Sequence, residues 1–249
     1  MGVAEGSAEA REGEAFQQVL AAGDDLFVVD PHVAIPGQDV DVCARLPVGV
    51  RLAAIGIAEG DVDAGRVKIF CVGSNNSDSF MNRRAHPSHR SWRHRLFDEY
   101  VRDEVVPFIH QHCQNPGIAI STMGASLGAY HAANTLFRYP HLVKRCYALS
   151  GVYDLRSMMD GGYDENFYFH NPVDYLANLT DPWYFEQFAT CEIRLATGSG
   201  PYEESRHSYD LSGILARKGI RHYLDDWGPR GGHDWPYWTD QMREYLSRW

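Results

Sequence analysis

Ser126 stands between Gly124 and Gly128 in the stretch AISTMGASLGAYHAANTLFRYP, with β-branched residues before it and helix formers after it. A serine hydroxyl becomes a competent nucleophile only when a base removes its proton and nearby amides receive the oxyanion it creates. A G-x-S-x-G turn from strand to helix supplies geometry for both. It lifts the hydroxyl above the sheet edge and lets the amide after the serine, here Leu127, donate to the oxyanion. The small residues Gly124, Ala125 and Gly128 suit a backbone that must pass close to its neighbours, and the helix N-terminus adds a potential favourable to negative charge.

A nucleophile of this kind needs a base and an acid, which in this architecture follow the serine in the order acid, then histidine. The segment DDWGPRGGHDWPYW supplies the histidine, because His233 follows a glycine-rich loop and precedes an aromatic, helix-like run. Its position after the last expected strand favours it among the 12 histidines; the competing reading is a surface residue capping the next helix. The acid is expected just after the strand CEIRLATG, where the loop SGPYEES offers Glu203 as first choice and Glu204 as second. Asp154 in SGVYDLR is a third candidate, and each of the three carboxylates also reads as a solvated loop charge.

The elements that must position these groups are legible from apolar runs and breakers. Strands are expected at DLFVVD (25–30), VDVCARL (40–46), RLAAIGIAE (51–59), RVKIFCVG (66–73), GIAIST (117–122), VKRCYALSG (143–151), CEIRLATG (191–198) and IRHYLDDWG (220–228). Helices are expected in WRHRLFDEYVRDEVVPFIHQHC, kinked at Pro107, in AYHAANTLFRYP up to Pro140, in LSGILARKG, and in the closing WPYWTDQMREYLSRW. The alternation predicts a mostly parallel sheet with helices on both faces and an irregular N-terminal portion. Residues 1–24 are expected to be a flexible segment and 25–249 a single domain, with residues 155–190 a cap-like insertion rich in Met, Phe and Tyr.

A net charge of −10 argues against attraction to nucleic acid or to an anionic membrane, and no run is apolar enough to span one. The basic stretch RRAHPSHRSWRHR (83–95) reads as a solvated loop balancing that acidity. Five scattered cysteines without a C-x-x-C pair indicate neither a disulfide framework nor a zinc knuckle, which fits a reducing, cytoplasmic location. His110 and His112 beside Cys113 look like metal ligands, but helical spacing points the two imidazoles apart, so no metal site is expected. No P-loop, dinucleotide fingerprint or H-E-x-x-H motif is present.

Taken in order, TMGASLGAYHAANTLFRYP, ALSGVYDLR, NPVDYL and GGHDWPYW resemble the putative-esterase branch of the α/β-hydrolases, related to esterase D, feruloyl esterases and mycolyltransferases, over residues 66 to 249. The resemblance implies an α/β-hydrolase fold and a serine hydrolase that cleaves small-molecule carboxylic esters through an acyl-enzyme, without metal or organic cofactor. It implies Ser126 as nucleophile, His233 as general base and Glu203 or its neighbour Glu204 as acid. The departure lies before residue 66, where related hydrolases carry a Gly-containing loop that completes the oxyanion hole. Gly37, Gly56 and Gly60 are the only remnants, none in strong context. One missing donor costs about 10²- to 10³-fold in turnover. A catalytically weak or inactive hydrolase-like binding protein is therefore the alternative expectation.

Overall fold

The computed structural model describes residues 25–29 and 68–247. The expected strands at 40–46 and 51–59, the glycines Gly37, Gly56 and Gly60, and the segment 1–24 lie outside the described residues.

Successive strand residues face opposite sides of a sheet, so a strand buried on both faces reads as a continuous apolar run. In strand β4 (Val143–Leu149) the stretch from Cys146 to Leu149 is such a run. Its Cys146 and Ala148 belong to one core cluster, while Tyr147 and Leu149 belong to another on the opposite face. Strands β3 (Ile120–Ala125) and β5 (Glu192–Thr197) divide in the same way, with Ile120, Ile193 and Leu195 in the first cluster and Met123, Ala125 and Ala196 in the second. Together with β1 (Asp25–Val29), β2 (Lys68–Val72) and β6 (Tyr223–Asp226), they form a six-stranded sheet of order β2-β1-β3-β4-β5-β6. Strands β3 to β6 run parallel, and β1 pairs antiparallel with both β2 and β3.

The first helical stretch begins earlier than its sequence suggests. Helix α1 (Pro87–Tyr100) passes through a π-helical turn at Val101–Val105 into α2 (Val106–His112). Pro107 has no N–H to return to the preceding turn, and the wider turn before it absorbs the mismatch instead of a simple kink. The basic stretch 83–95, read from sequence as a solvated loop, lies largely in α1, with Arg90 only 1% exposed. Its guanidinium donates to the Met158 carbonyl at 2.5 Å and to Asp160 at 2.6 Å, which ties the helix to the segment after β4.

That segment holds a 3₁₀ turn at Arg156–Met158 and three short helices, α4 (Glu165–Tyr168), α5 (Pro172–Asn178) and α6 (Pro182–Phe188). Two of the helices start where a side chain accepts a first-turn amide, Asp164 from Phe167 and Asp181 from Trp183. Helix α3 (Leu127–Arg138) contributes to the first core cluster, as does α7 (Arg206–Arg217); α8 (Trp235–Leu246) contributes Trp238, Met242, Tyr245 and Leu246 to the second. Helices on both faces of a largely parallel sheet make this an α/β-hydrolase fold.

Candidate active site

The register aligns the C-terminal ends of the parallel strands: Ala125 lies beside Leu149, Leu149 beside Ala196, and Thr197 beside Asp226. Loops leaving those ends therefore meet along one edge of the sheet. Ser126 occupies the turn from β3 into α3 with φ 56° and ψ −120°, a left-handed conformation that is costly for a residue with a Cβ. Its amide donates to the Leu149 carbonyl at 2.9 Å, which holds the turn against β4. The first glycine of the motif has a steric reason: a Cβ on Gly124 would lie 2.3 Å from the Gly128 carbonyl oxygen. Strand and helix can approach this closely only without that side chain. Leu127 is the first residue of α3, where amides have no intrahelical carbonyl to bond.

His233 arrives from the loop between β6 and α8, and its Nε2 lies 3.0 Å from Ser126 Oγ. Its Nδ1 faces Glu203 Oε2 at 3.6 Å, with the Glu203 side chain 1% exposed. The other carboxylate oxygen accepts the Thr197 hydroxyl at 2.7 Å, so the acid is held by the strand end that precedes its loop. Beneath it, burial pushes the Tyr153 phenol well above its ordinary value, with the Glu203 carboxylate among the contributing charges. Tyr153 therefore remains neutral beside the acid.

The loops that carry the acid and the histidine are joined by backbone bonds. Ser199 N donates to Gly228 O at 2.8 Å, Gly200 N to Gly231 O at 2.9 Å and His233 N to Pro201 O at 2.9 Å. A Cβ on Gly198 would lie 2.3 Å from Gly231 O and 2.6 Å from Gly228 O, so the glycines again permit backbone contact. Between the joined loops, Tyr202 takes φ 61°, and the chain then turns Glu203 inward.

Of the residues anticipated from sequence, the structure brings together Ser126, His233 and Glu203. Glu204 instead accepts the Arg206 amide at 3.2 Å in an exposed position at the start of α7. Asp154 is paired with Arg156, whose Nη1 donates to it at 2.6 Å, and accepts the Arg156 amide at 3.1 Å. Thr197 was not anticipated; a hydroxyl on the last residue of the strand before the acid loop was its only signal.

The family model described as Putative esterase matches residues 57–248. Among solved structures, a ferulic acid esterase is similar at 16% identity, over 77% of this chain and 75% of that one, with a TM-score of 0.53. Mycobacterium tuberculosis MPT51 is similar at 14% identity, over 74% and 76% of the two chains, with a TM-score of 0.52. An S-formylglutathione hydrolase from Agrobacterium tumefaciens aligns at 16% identity over 60% of this chain and 55% of that one, with a TM-score of 0.48. A search of curated proteins finds no match. The match to the family model spans well over half of the chain, which thus belongs to the putative esterase family and is a carboxylic ester hydrolase.

Proposed function

We propose that Ser126, His233 and Glu203 form a Ser–His–Glu triad that hydrolyses a small-molecule carboxylic ester through an acyl-enzyme. The observation that carries this reading is the 3.0 Å approach of His233 Nε2 to Ser126 Oγ, on a left-handed turn between a strand and a helix. Ser126 Oγ attacks the ester carbonyl while His233 Nε2 takes its proton, and the Leu127 amide donates to the oxyanion. His233 then returns the proton to the departing alcohol, and a water activated by the same imidazole releases the acid. Glu203, facing Nδ1, keeps the imidazole in the tautomer that leaves Nε2 free to accept, and stabilises the imidazolium while it exists.

The same reading takes residues 25–249 as one hydrolase domain with residues 155–190 as a cap, supported by the bonds from Arg90 that tie this insertion to α1. It places the protein in the cytoplasm, in keeping with the free, buried thiols of Cys113, Cys146 and Cys191. No helix among the described residues is long and apolar enough to cross a membrane.

Labelling the folded protein with a fluorophosphonate and locating the adduct by mass spectrometry tests the mechanism. An adduct on Ser126, lost in Ser126→Ala and strongly diminished in His233→Ala, is the expected result. Ester hydrolysis that persists unchanged in both variants would overturn it. A protein of this fold that only bound its ligand would leave Ser126 unlabelled.

A further inference from the structure

A histidine that takes a proton from one side and is held by a carboxylate on the other must keep its ring plane fixed, since a small rotation breaks both alignments. In this protein one face of the problem falls to Trp238. The indole and imidazole centroids lie 5.0 Å apart with their planes at 77°, an edge-to-face contact. Trp238 is 2% exposed, and its Nε1–H, a donor that burial obliges to find an acceptor, donates to Ser150 Oγ at 3.0 Å. Ser150 itself is 4% exposed and takes φ 51°, a left-handed conformation that glycine would adopt without strain. Its amide donates to the Ala196 carbonyl at 2.8 Å, which fixes it against β5.

The placement of Ser150 joins these observations. The end of β4 receives the nucleophile's amide on the Leu149 carbonyl and, one residue later, presents the hydroxyl that holds the tryptophan packed on the base. Nucleophile and base are thus both referenced to two consecutive residues, although they lie 107 positions apart in the chain. We infer that Ser150 and Trp238 are positioning residues for His233, Trp238 setting the imidazole plane and Ser150 locking the indole; the inference rests on the triad reading above. A left-handed serine is retained there because a glycine would relieve the strain but remove the acceptor.

The test compares wild type with Ser150→Ala, Trp238→Phe, the double variant and Ser126→Ala, measuring p-nitrophenyl acetate hydrolysis, fluorophosphonate labelling rate and thermal unfolding. Ser150→Ala and Trp238→Phe are each expected to lower kcat and the labelling rate about tenfold with KM unchanged. The double variant should be no slower than Trp238→Phe alone, because without the indole N–H the serine hydroxyl has nothing to hold. Losses that multiply in the double variant, a change in KM alone, or wild-type kcat in Ser150→Ala would overturn the inference. Trp238→Phe keeps a ring in the same cavity and so remains informative should Ser150→Ala unfold. Hydrolysis surviving in Ser126→Ala would fail the triad reading; an inactive Ser126→Ala beside unaffected Ser150→Ala and Trp238→Phe would fail this inference alone.

Discussion

Glu203 is a carboxylate with a 1% exposed side chain, and an unpaired charge in such a place is expensive. Its hydrogen bond from Thr197 offsets part of that cost. In the proposed mechanism His233 becomes an imidazolium transiently, and the attraction then grows between groups already 3.6 Å apart. The acid therefore gains more in the transition state of that mechanism than in the ground state, which is the differential stabilisation that catalysis requires. Glu203→Gln, which keeps the shape and removes the charge, is expected to lower kcat by about 10²- to 10⁴-fold while KM changes little. Glu204→Gln should remain within about twofold of wild type, because that carboxylate only accepts the Arg206 amide from an exposed position. Steady-state kinetics on one ester checks both, and equal losses in the two variants would remove the distinction between the neighbours.

The site depends on elements approaching at distances that side chains forbid. Gly124→Ala would drive a Cβ to 2.3 Å from the Gly128 carbonyl oxygen, and backbone cannot swing aside as a flexible side chain can. The variant is expected to lose about 2 kcal/mol or more of stability, in the range of overpacked sites, together with most fluorophosphonate labelling. Gly198→Ala meets Gly231 and Gly228 in the same way and should part the acid loop from the histidine loop, lowering kcat more than stability. Urea unfolding and labelling rates measured side by side separate the two effects. These glycines also explain what the sequence made legible. G-x-S-x-G and the loop before His233 announce themselves because a close backbone approach demands a residue type. Glu203 ranks ahead of Glu204 in the sequence only by its place directly after Tyr202, while the left-handed turn at Tyr202 that separates the two carries no glycine signal. The strand at residues 25–29 was readable from its apolar run, but its antiparallel place between β2 and β3 is a long-range pairing with no local mark. Arg90 was misread because burying an arginine is decided by its acceptors, the Met158 carbonyl and Asp160, which lie some 70 residues away.

At the scale of the whole molecule, the region that joins α1, α3 and the insertion after β4 carries a polar core. Tyr130 Oη donates to the His170 carbonyl at 2.6 Å and meets His94 Nε2 at 2.8 Å, and His131 Nε2 pairs with Asn76 Oδ1 at 2.7 Å. Asp98 accepts from Arg138 at 2.9 Å and from Tyr139 at 2.5 Å. Burial opposes ionisation of Asp98, but the His170 and Tyr139 contacts and the Arg138 charge outweigh it and hold the carboxyl below its usual range. Burial likewise holds His94 well below the ordinary histidine value, helped by the neighbouring His170 and His131, and lowers His131 from 6.5 to about 3. Both histidines are neutral in the folded protein at a pH where the unfolded chain binds the proton. The His131 contribution is therefore complete above pH 6.5 and is lost progressively as the pH falls toward about 3, and that of His94 is lost in the same direction. Between those values His131 should cost about 1.4 kcal/mol of stability per pH unit, and His94 adds a loss of the same sign. The Asp98 contribution is present above the unfolded carboxylate value of about 3.9 and lost below it, so the histidines act first on acidification. Urea unfolding at pH 7, 6 and 5 is expected to show this decline, and His131→Gln, which keeps a donor toward Asn76, should flatten the slope by about 1.4 kcal/mol per unit. Equal stability at pH 7 and pH 5 in the unsubstituted protein would mean that the histidines are not held neutral, and that the polar core is open to water.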